Sequence, residues 1–207
     1  METTNPRKAG ELILNYLSMF NEAAILMEEQ INVKIFEILQ ENIEKWNEET
    51  NWKNHFGWFD KEPNLWISPN NWYKFIEEEN IQIAKFDFAY ENETSSFDVA
   101  DLCNCGQSRL GFFFAKGNAI KNKSWKKYSI SEQSSLEKLE NLGFKKHQST
   151  EFPWFIPVTL DNTKLAAAYE KDDFDEAMQP LHEALASLLK AKEIFDPIVE
   201  EMKKLPL

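Results

Sequence analysis

The chain has 207 residues, 43% of them apolar and 14% aromatic, with only six Gly and eight Pro. Those proportions describe a folded domain with a sizeable core and exclude collagen-like, low-complexity and disordered classes. The 35 acidic against 23 basic residues give a formal charge of −12, which opposes nonspecific binding to nucleic acid or anionic membrane and suits a basic protein partner.

The chain opens as helix. Asn5 can cap and Pro6 sits at the first helical position, a start signal with a mechanism. No Gly or Pro follows from Glu11 to Phe56. Ile13, Leu17, Phe20, Ala24, Met27, Ile31, Ile35 and Ile38 recur at spacings of four and three, which is one helix face. Leu12, Tyr16, Met19, Ala23 and Leu26 form a second stripe, so this half is expected to be covered on more than one side. Either one long rod or a break near Asn21 or Asn32 is expected.

Residues 50–76 change character, with Gly57, Pro63 and Pro69 as punctuation and five of the seven Trp between Trp46 and Trp72. Short strands are expected at Trp58–Asp60 and Leu65–Ile67 around the turn KEPN. Trp58, Trp66 and Trp72 are expected in the core or in a groove of that sheet. The segment IQIAKFDFAYE alternates, with Ala84, Phe86, Phe88 and Tyr90 as the core side. Leu110–Ala115 is apolar on both faces and so central in its sheet.

Ser129-Ile-Ser-Glu132 has the capping-box pattern and Gly143 suits the residue after a helix end. Phe152–Leu160 carries Pro153 and Pro157, which fits an edge strand or a packed loop. Asp173-Phe-Asp-Glu176 is a second capping-box pattern. Phe174, Met178, Leu181, Leu185 and Leu188 then repeat at four and three, Pro180 should kink or restart the helix, and Asp196-Pro197 marks a fresh start. The order predicts one α+β domain over 1–207: helical over 1–49, mainly strands over 50–128, and helices with one extended apolar segment over 129–207. An antiparallel sheet in mid-chain is flanked by long N-terminal and C-terminal helices.

Charge is uneven. Residues 101–150 hold nine bases and four acids, and every other quarter is acidic. The basic island is Lys116, Lys121, Lys123, Lys126 and Lys127, with Trp125 and Tyr128 among them. Lysine with aromatics can hold a single strand by charge and stacking; a solvated loop beside acidic helices explains it without a ligand and is preferred. The acids are densest at Glu77-Glu78-Glu79 and at Asp172, Asp173, Asp175 and Glu176. The latter reads as favourable charge at a helix N-terminus rather than an ion site.

Catalytic chemistry is limited by residue supply. His55, His147 and His182 are isolated from one another, and no GxxxxGK[ST], GxGxxG or GxSxG occurs. Cys103 and Cys105 are too close for an ordinary bridge, imply free thiols in a reducing compartment, and need distant partners to bind zinc, with Asp98 and Asp101 nearby. No cofactor, metal or catalytic residue is assigned. The opening residues lack the apolar stretch of a signal peptide, and no apolar run has membrane-spanning length, so the protein is expected in the cytoplasm. The acid-x-lysine of metal-dependent nucleases occurs only as Glu201-Met202-Lys203, in a helical segment where such a site would not lie.

The succession GWF…NLWISPNNW, IAKFDFAYE, LGFFFA, a short helix ending in LGF, FPWF and a long terminal helix resembles the C-terminal module that follows the catalytic part in many PD-(D/E)XK nuclease-superfamily proteins of bacteria and phages. The resemblance implies a non-catalytic recognition module in phage–host conflict. The negative charge, the missing catalytic signatures and the many aromatics point to an inhibitor, immunity or accessory protein acting on a basic partner such as a nucleic-acid enzyme. The binding candidates are Glu77, Glu78, Glu79, Trp58, Trp66, Trp72, Lys121, Lys123, Trp125, Lys126 and Lys127. The alternative is a metal-dependent nucleic-acid enzyme using Asp87, Glu91 or Asp98. A third reading is a structural subunit that forms a homodimer through its long helices.

Overall fold

The computed structural model describes residues 5–58, 64–93, 96–121, 125, 133–147 and 154–205. It is α+β. Helices α1 (Pro6–Asn15), α2 (Leu17–Leu26) and α3 (Asn32–Thr50) open the chain. Asn5 caps α1 as its sequence predicts, its side chain accepting from Arg7 N at 3.1 Å. The helix breaks at Tyr16 (φ −122°, ψ 34°) rather than at Asn21. A single π-helical turn, Met27–Ile31, precedes Asn32. One added residue in a helix turns everything beyond it by about 100°. Beyond the π-turn the buried face of α3 is Ile35, Phe36, Leu39 and Ile43. The double coverage expected of this half is not found: α1 and α2 bury no residue.

The sheet has the order β1-β2-β5-β6-β8-β7, antiparallel throughout. Its strands are β1 (Lys53–Gly57), β2 (Asn64–Ser68), β5 (Ala84–Tyr90), β6 (Leu110–Lys116), β7 (Lys145–Lys146) and β8 (Trp154–Pro157). The first strand ends one residue before Trp58, so the hairpin is displaced from its expected start; residues 59–63, with most of KEPN, lie outside the described set. Strand β6 is central as its two apolar faces predict. Strand β8 has β6 on one side and only the two-residue β7 on the other, which lets Pro157 end it without breaking an inner ladder.

Between β2 and β5 the chain runs outward as β3 (Tyr73–Ile76) and β4 (Glu79–Gln82), a separate two-stranded sheet. The alternating segment is therefore divided at Ile83, which is buried. Ala84, Phe86 and Phe88 face the core as expected. A short helix α4 (Asp98–Leu102) and helix α5 (Gln133–Asn141) follow β5 and β6. Gly143 has φ 91°, and N–H groups of Gly143 and Phe144 donate to Glu140 and Leu139 carbonyls at 2.9 and 3.0 Å, closing the end of α5. The proposed box at Ser129–Glu132 lies outside the described residues.

Three corrections fall in the C-terminal part. Helix α6 (Asn162–Lys171), which was not expected, is capped by Asp161, whose carboxylate accepts from Thr163 N and Lys164 N at 2.9 Å each. Asp173-Phe-Asp-Glu176 starts no helix: α7 is Gln179–Lys203. A helix begun at Phe174 would place Pro180 in its interior, whereas in the first turn its missing N–H costs nothing. Pro197 makes no fresh start either; α7 runs through it. An interior proline costs about 3 kcal/mol. Phe195, Val199 and Met202 around it are wholly buried, and each such side chain contributes roughly 1.5–3 kcal/mol. Phe195 stacks on Phe114 at 3.8 Å and meets Phe86 and Trp72 edge-on, tying α7 to the sheet face that α3 also covers.

Candidate functional site

The β3–β4 hairpin carries the acids singled out in the sequence. Its registers pair Ile76 with Glu79 and Phe75 with Asn80, so Glu77 and Glu78 are the two turn residues. Both have positive φ, 47° and 69°, as a two-residue turn compatible with strand twist demands. All three glutamates are exposed. Beside them Phe75 is 69% exposed. No sequence argument marked Phe75. The signal was there: two β-prone stretches joined by consecutive glutamates put an aromatic on a solvent-facing tip.

The base of the hairpin is firmly held. Ile83 N–H donates to Trp72 O at 2.9 Å and Gly117 N–H to Ile83 O at 2.7 Å. A Cβ on Gly117 would stand 1.9 Å from the Gln82 carbonyl oxygen, so only glycine lets these backbones meet. Trp72 lies under the hairpin, fully buried, its indole N–H donating to Asp196 Oδ1 at 2.6 Å. Asn71 and Lys192 also donate to this carboxylate, at 3.2 and 2.6 Å. Burial pushes the Asp196 carboxyl up, but these donors outweigh it and hold it below the ordinary carboxylate value. Lys53 covers the Tyr73 ring at 4.0 Å.

The other named residues do not gather at one place. Trp58 is buried, stacked on Phe36 at 4.7 Å, with its indole N–H 3.4 Å from Asp98 Oδ2. Trp66 is half-buried on the opposite sheet face, beside the His55 ring and under Lys85 Nζ. Trp125, counted with the lysine island, is wholly buried and packs on Phe114 at 5.3 Å, so its ring offers no stacking surface. Lys121 is exposed; Lys123, Lys126 and Lys127 lie outside the described residues.

Asp87, Glu91 and Asp98 are likewise divided. Asp87 is on the second sheet face, 3.0 Å from Lys85 Nζ; burial pushes its carboxyl up against the pull of that lysine. Glu91 takes Arg109 bidentately at 2.6 and 2.7 Å, a strong pairing geometry. Asp98 accepts from the Tyr90 hydroxyl at 2.5 Å, and burial beside that carboxylate drives the phenol's pKa up. Asp87 and Glu91 border a cleft of about 630 Å³ with Glu93, Phe113 and His147. Asp98 belongs to the core side with Trp58 and Tyr90. Among the described residues, no three His, Cys, Asp or Glu groups are placed to hold a metal. Burial raises the Cys103 thiol to about 11, which keeps it protonated near neutrality.

The acids at 172–176 join α6 to α7. Asp172, at φ 53°, ends α6 and pairs with Lys34 at 2.9 Å, and Glu176 pairs with Lys164 at 2.6 Å. Among the described residues, no helix is long and apolar enough to cross a membrane. Comparison of the chain with family models, curated proteins and solved structures returns no match.

Proposed function

We propose that this chain is a non-enzymatic acidic binding protein that acts through protein–protein contact, with the β3–β4 hairpin as its contact element. The observation that carries the reading is the hairpin tip: Glu77, Glu78 and Glu79 around an exposed Phe75, on a base anchored through Trp72 and Gly117. An aromatic ringed by like charge suits a basic partner, the ring filling an apolar pocket and the carboxylates steering the approach. The resemblance to a recognition module of nuclease-superfamily proteins supports an inhibitor, immunity or accessory role in bacterial or phage defence. The partner is then a basic protein such as a nucleic-acid enzyme, and the carboxylates stand where phosphates would. The pairing of Asp87 with Lys85, Glu91 with Arg109 and Asp98 with Tyr90 favours this over the nuclease-like alternative, since each of its acids is already engaged by a side chain.

The test is affinity capture from cells carrying the neighbouring genes, run with the natural chain, with Phe75→Ala and with Glu77, Glu78 and Glu79 all changed to Gln. A specific basic protein should be retained by the natural chain, weakened by each variant and released by raised salt. Retention indifferent to salt and to both variants would move the contact away from the hairpin. Divalent-dependent cleavage of DNA or RNA, lost on Asp87→Asn, would replace the reading with the enzymatic one.

A further inference from the structure

The N-terminal arm, α1 with α2, leaves its apolar residues uncovered. Of the 12 large apolar side chains that stand exposed among the described residues, nine lie between Leu12 and Leu26. Leu14 is 72% exposed, and Tyr16, Leu17 and Met19 are each more than half exposed. A large apolar side chain worth roughly 1.5–3 kcal/mol at about 25 cal/mol per Å² carries about 100 Å², so nine of them near half exposure present roughly 450 Å² of apolar surface. A stable protein interface takes about 800 Å² from each partner, a little over half of it apolar. Apolar groups occur on all sides of α2, a composition that belongs to a helix enclosed by others. At the foot of the arm the surface continues into an apolar groove of about 290 Å³ lined by Met27, Ile31, Ile35, Val99, Leu165 and Tyr169.

Charge identifies the occupant. Residues 6–26 contain Arg7 and Lys8 at one end and Glu11 and Glu22 further along, a net charge of zero in a chain of −12. Glu28 and Glu29 follow directly. A neutral arm with a basic start and an acidic finish complements itself only when two copies run in opposite directions. Antiparallel pairing about a two-fold near Tyr16 brings Arg7 and Lys8 of each copy within about one helical turn of Glu22 of the other; Glu11 falls beside that Glu22 too, so two bases and two acids meet at each end. Parallel pairing would oppose like charges instead.

We infer that the arm is the dimerisation element of the protein, its occupant the same arm of a second copy, packed antiparallel about a two-fold axis near Tyr16. The interface is isologous and closed, so the assembly stops at two. It is independent of the hairpin contact proposed above.

The full chain at micromolar concentration should show twice the chain mass by light scattering. Leu14→Glu with Leu17→Glu should weaken the dimer by ~100-fold or more, with an unchanged circular dichroism spectrum, because neither side chain is buried within one copy. Direction is read by cross-linking in a chain with Cys103→Ser and Cys105→Ser. Tyr16→Cys should join to itself across the two-fold. Gly10→Cys should not, although a side chain there meets nothing within 4 Å. A monomer mass, a dimer untouched by the double Glu variant, or self-joining at position 10 would each overturn the inference. So would a monomer that binds neutral phosphatidylcholine vesicles through the arm.

Discussion

The N-terminal arm and helix α7 carry the same repeat and meet opposite fates. Ile13, Leu17, Phe20 and Ala24 recur in fours and threes, as do Phe174, Met178, Leu181, Leu185 and Leu188. The second stripe is buried, Phe174 and Met178 just before α7 and the rest along it; in the arm the stripe is in solvent. Periodicity therefore reports that a face seeks cover, not whether the same chain supplies it. The supply is decided by connectivity. Phe195 is brought onto Phe86 and Phe114 because α7 lies along the sheet, whereas neither α1 nor α2 buries a residue against it.

The sharpest way to break this comparison is to truncate one side chain in each region. Phe195→Ala should cost about 3–5 kcal/mol in urea unfolding, since it opens a cavity among four aromatic rings. Leu17→Ala should change the stability of the dilute, monomeric chain by less than about 0.5 kcal/mol. Equal losses from the two would mean that the arm packs on its own body.

A smaller effect tests how α7 holds the hairpin. Trp72→Phe keeps the ring and removes the indole donor to Asp196, which should cost about 1–3 kcal/mol because a partly buried carboxylate loses a partner. Gly117→Ala should cost a similar ~1–3 kcal/mol by forcing Gln82 away. No loss from Gly117→Ala would show that the base of the hairpin yields freely.

Acid sharpens the same contact. Asp196 titrates below its ordinary value near 3.8 in the folded protein. Its contribution to stability is therefore fully present above that value and is lost as pH falls through the folded-state pKa. Asp87 is shifted the other way by burial, so its contribution is fully present below 3.8 and is lost as pH rises through its folded-state pKa. In a stability–pH profile Asp196→Asn should flatten the limb below 3.8, and Asp87→Asn the one above it. Identical profiles for the two variants would contradict the opposite signs.

Strand β2, the central place of β6 and the core side of β5 were legible in the sequence because alternation and dense apolar runs are local signals. So was the end of α5, through Gly143. What was not legible depended on distance. Trp125 looks like part of a basic surface in IKNKSWKKY, yet its ring is taken up by Phe114, a partner that only the folded chain supplies. Helix α6 is faint in the sequence although Asp161 caps it, because Ala166, Ala167 and Ala168 give a weak stripe. The capping-box pattern at Asp173–Glu176 suggests too early a start for α7, because Pro180 suits only its first turn. Of the candidate site, the three glutamates were visible as charge; that they form a hairpin tip beside Phe75 depended on the break at Trp72 and Ile83, where the long β2–β5 hairpin changes sheet.

The smallest predicted effect bears most directly on function. Glu77 and Glu78 both hold positive φ, a conformation that costs an ordinary residue about 1–2 kcal/mol and is natural to Asn and Gly. Replacing the pair by Asn-Gly should raise stability by ~1 kcal/mol, roughly 2–4 °C in Tm for a chain of this size. Strain kept at an exposed turn, where a relaxed sequence is easily reached, points to a use for the carboxylates that outweighs it. If the tip is the contact element, the Asn-Gly variant gains stability and loses association with the basic partner, the two moving in opposite directions. A solubilising role predicts the same rise in Tm with association intact. The two measurements on one variant therefore separate a binding hairpin from a merely solvated one.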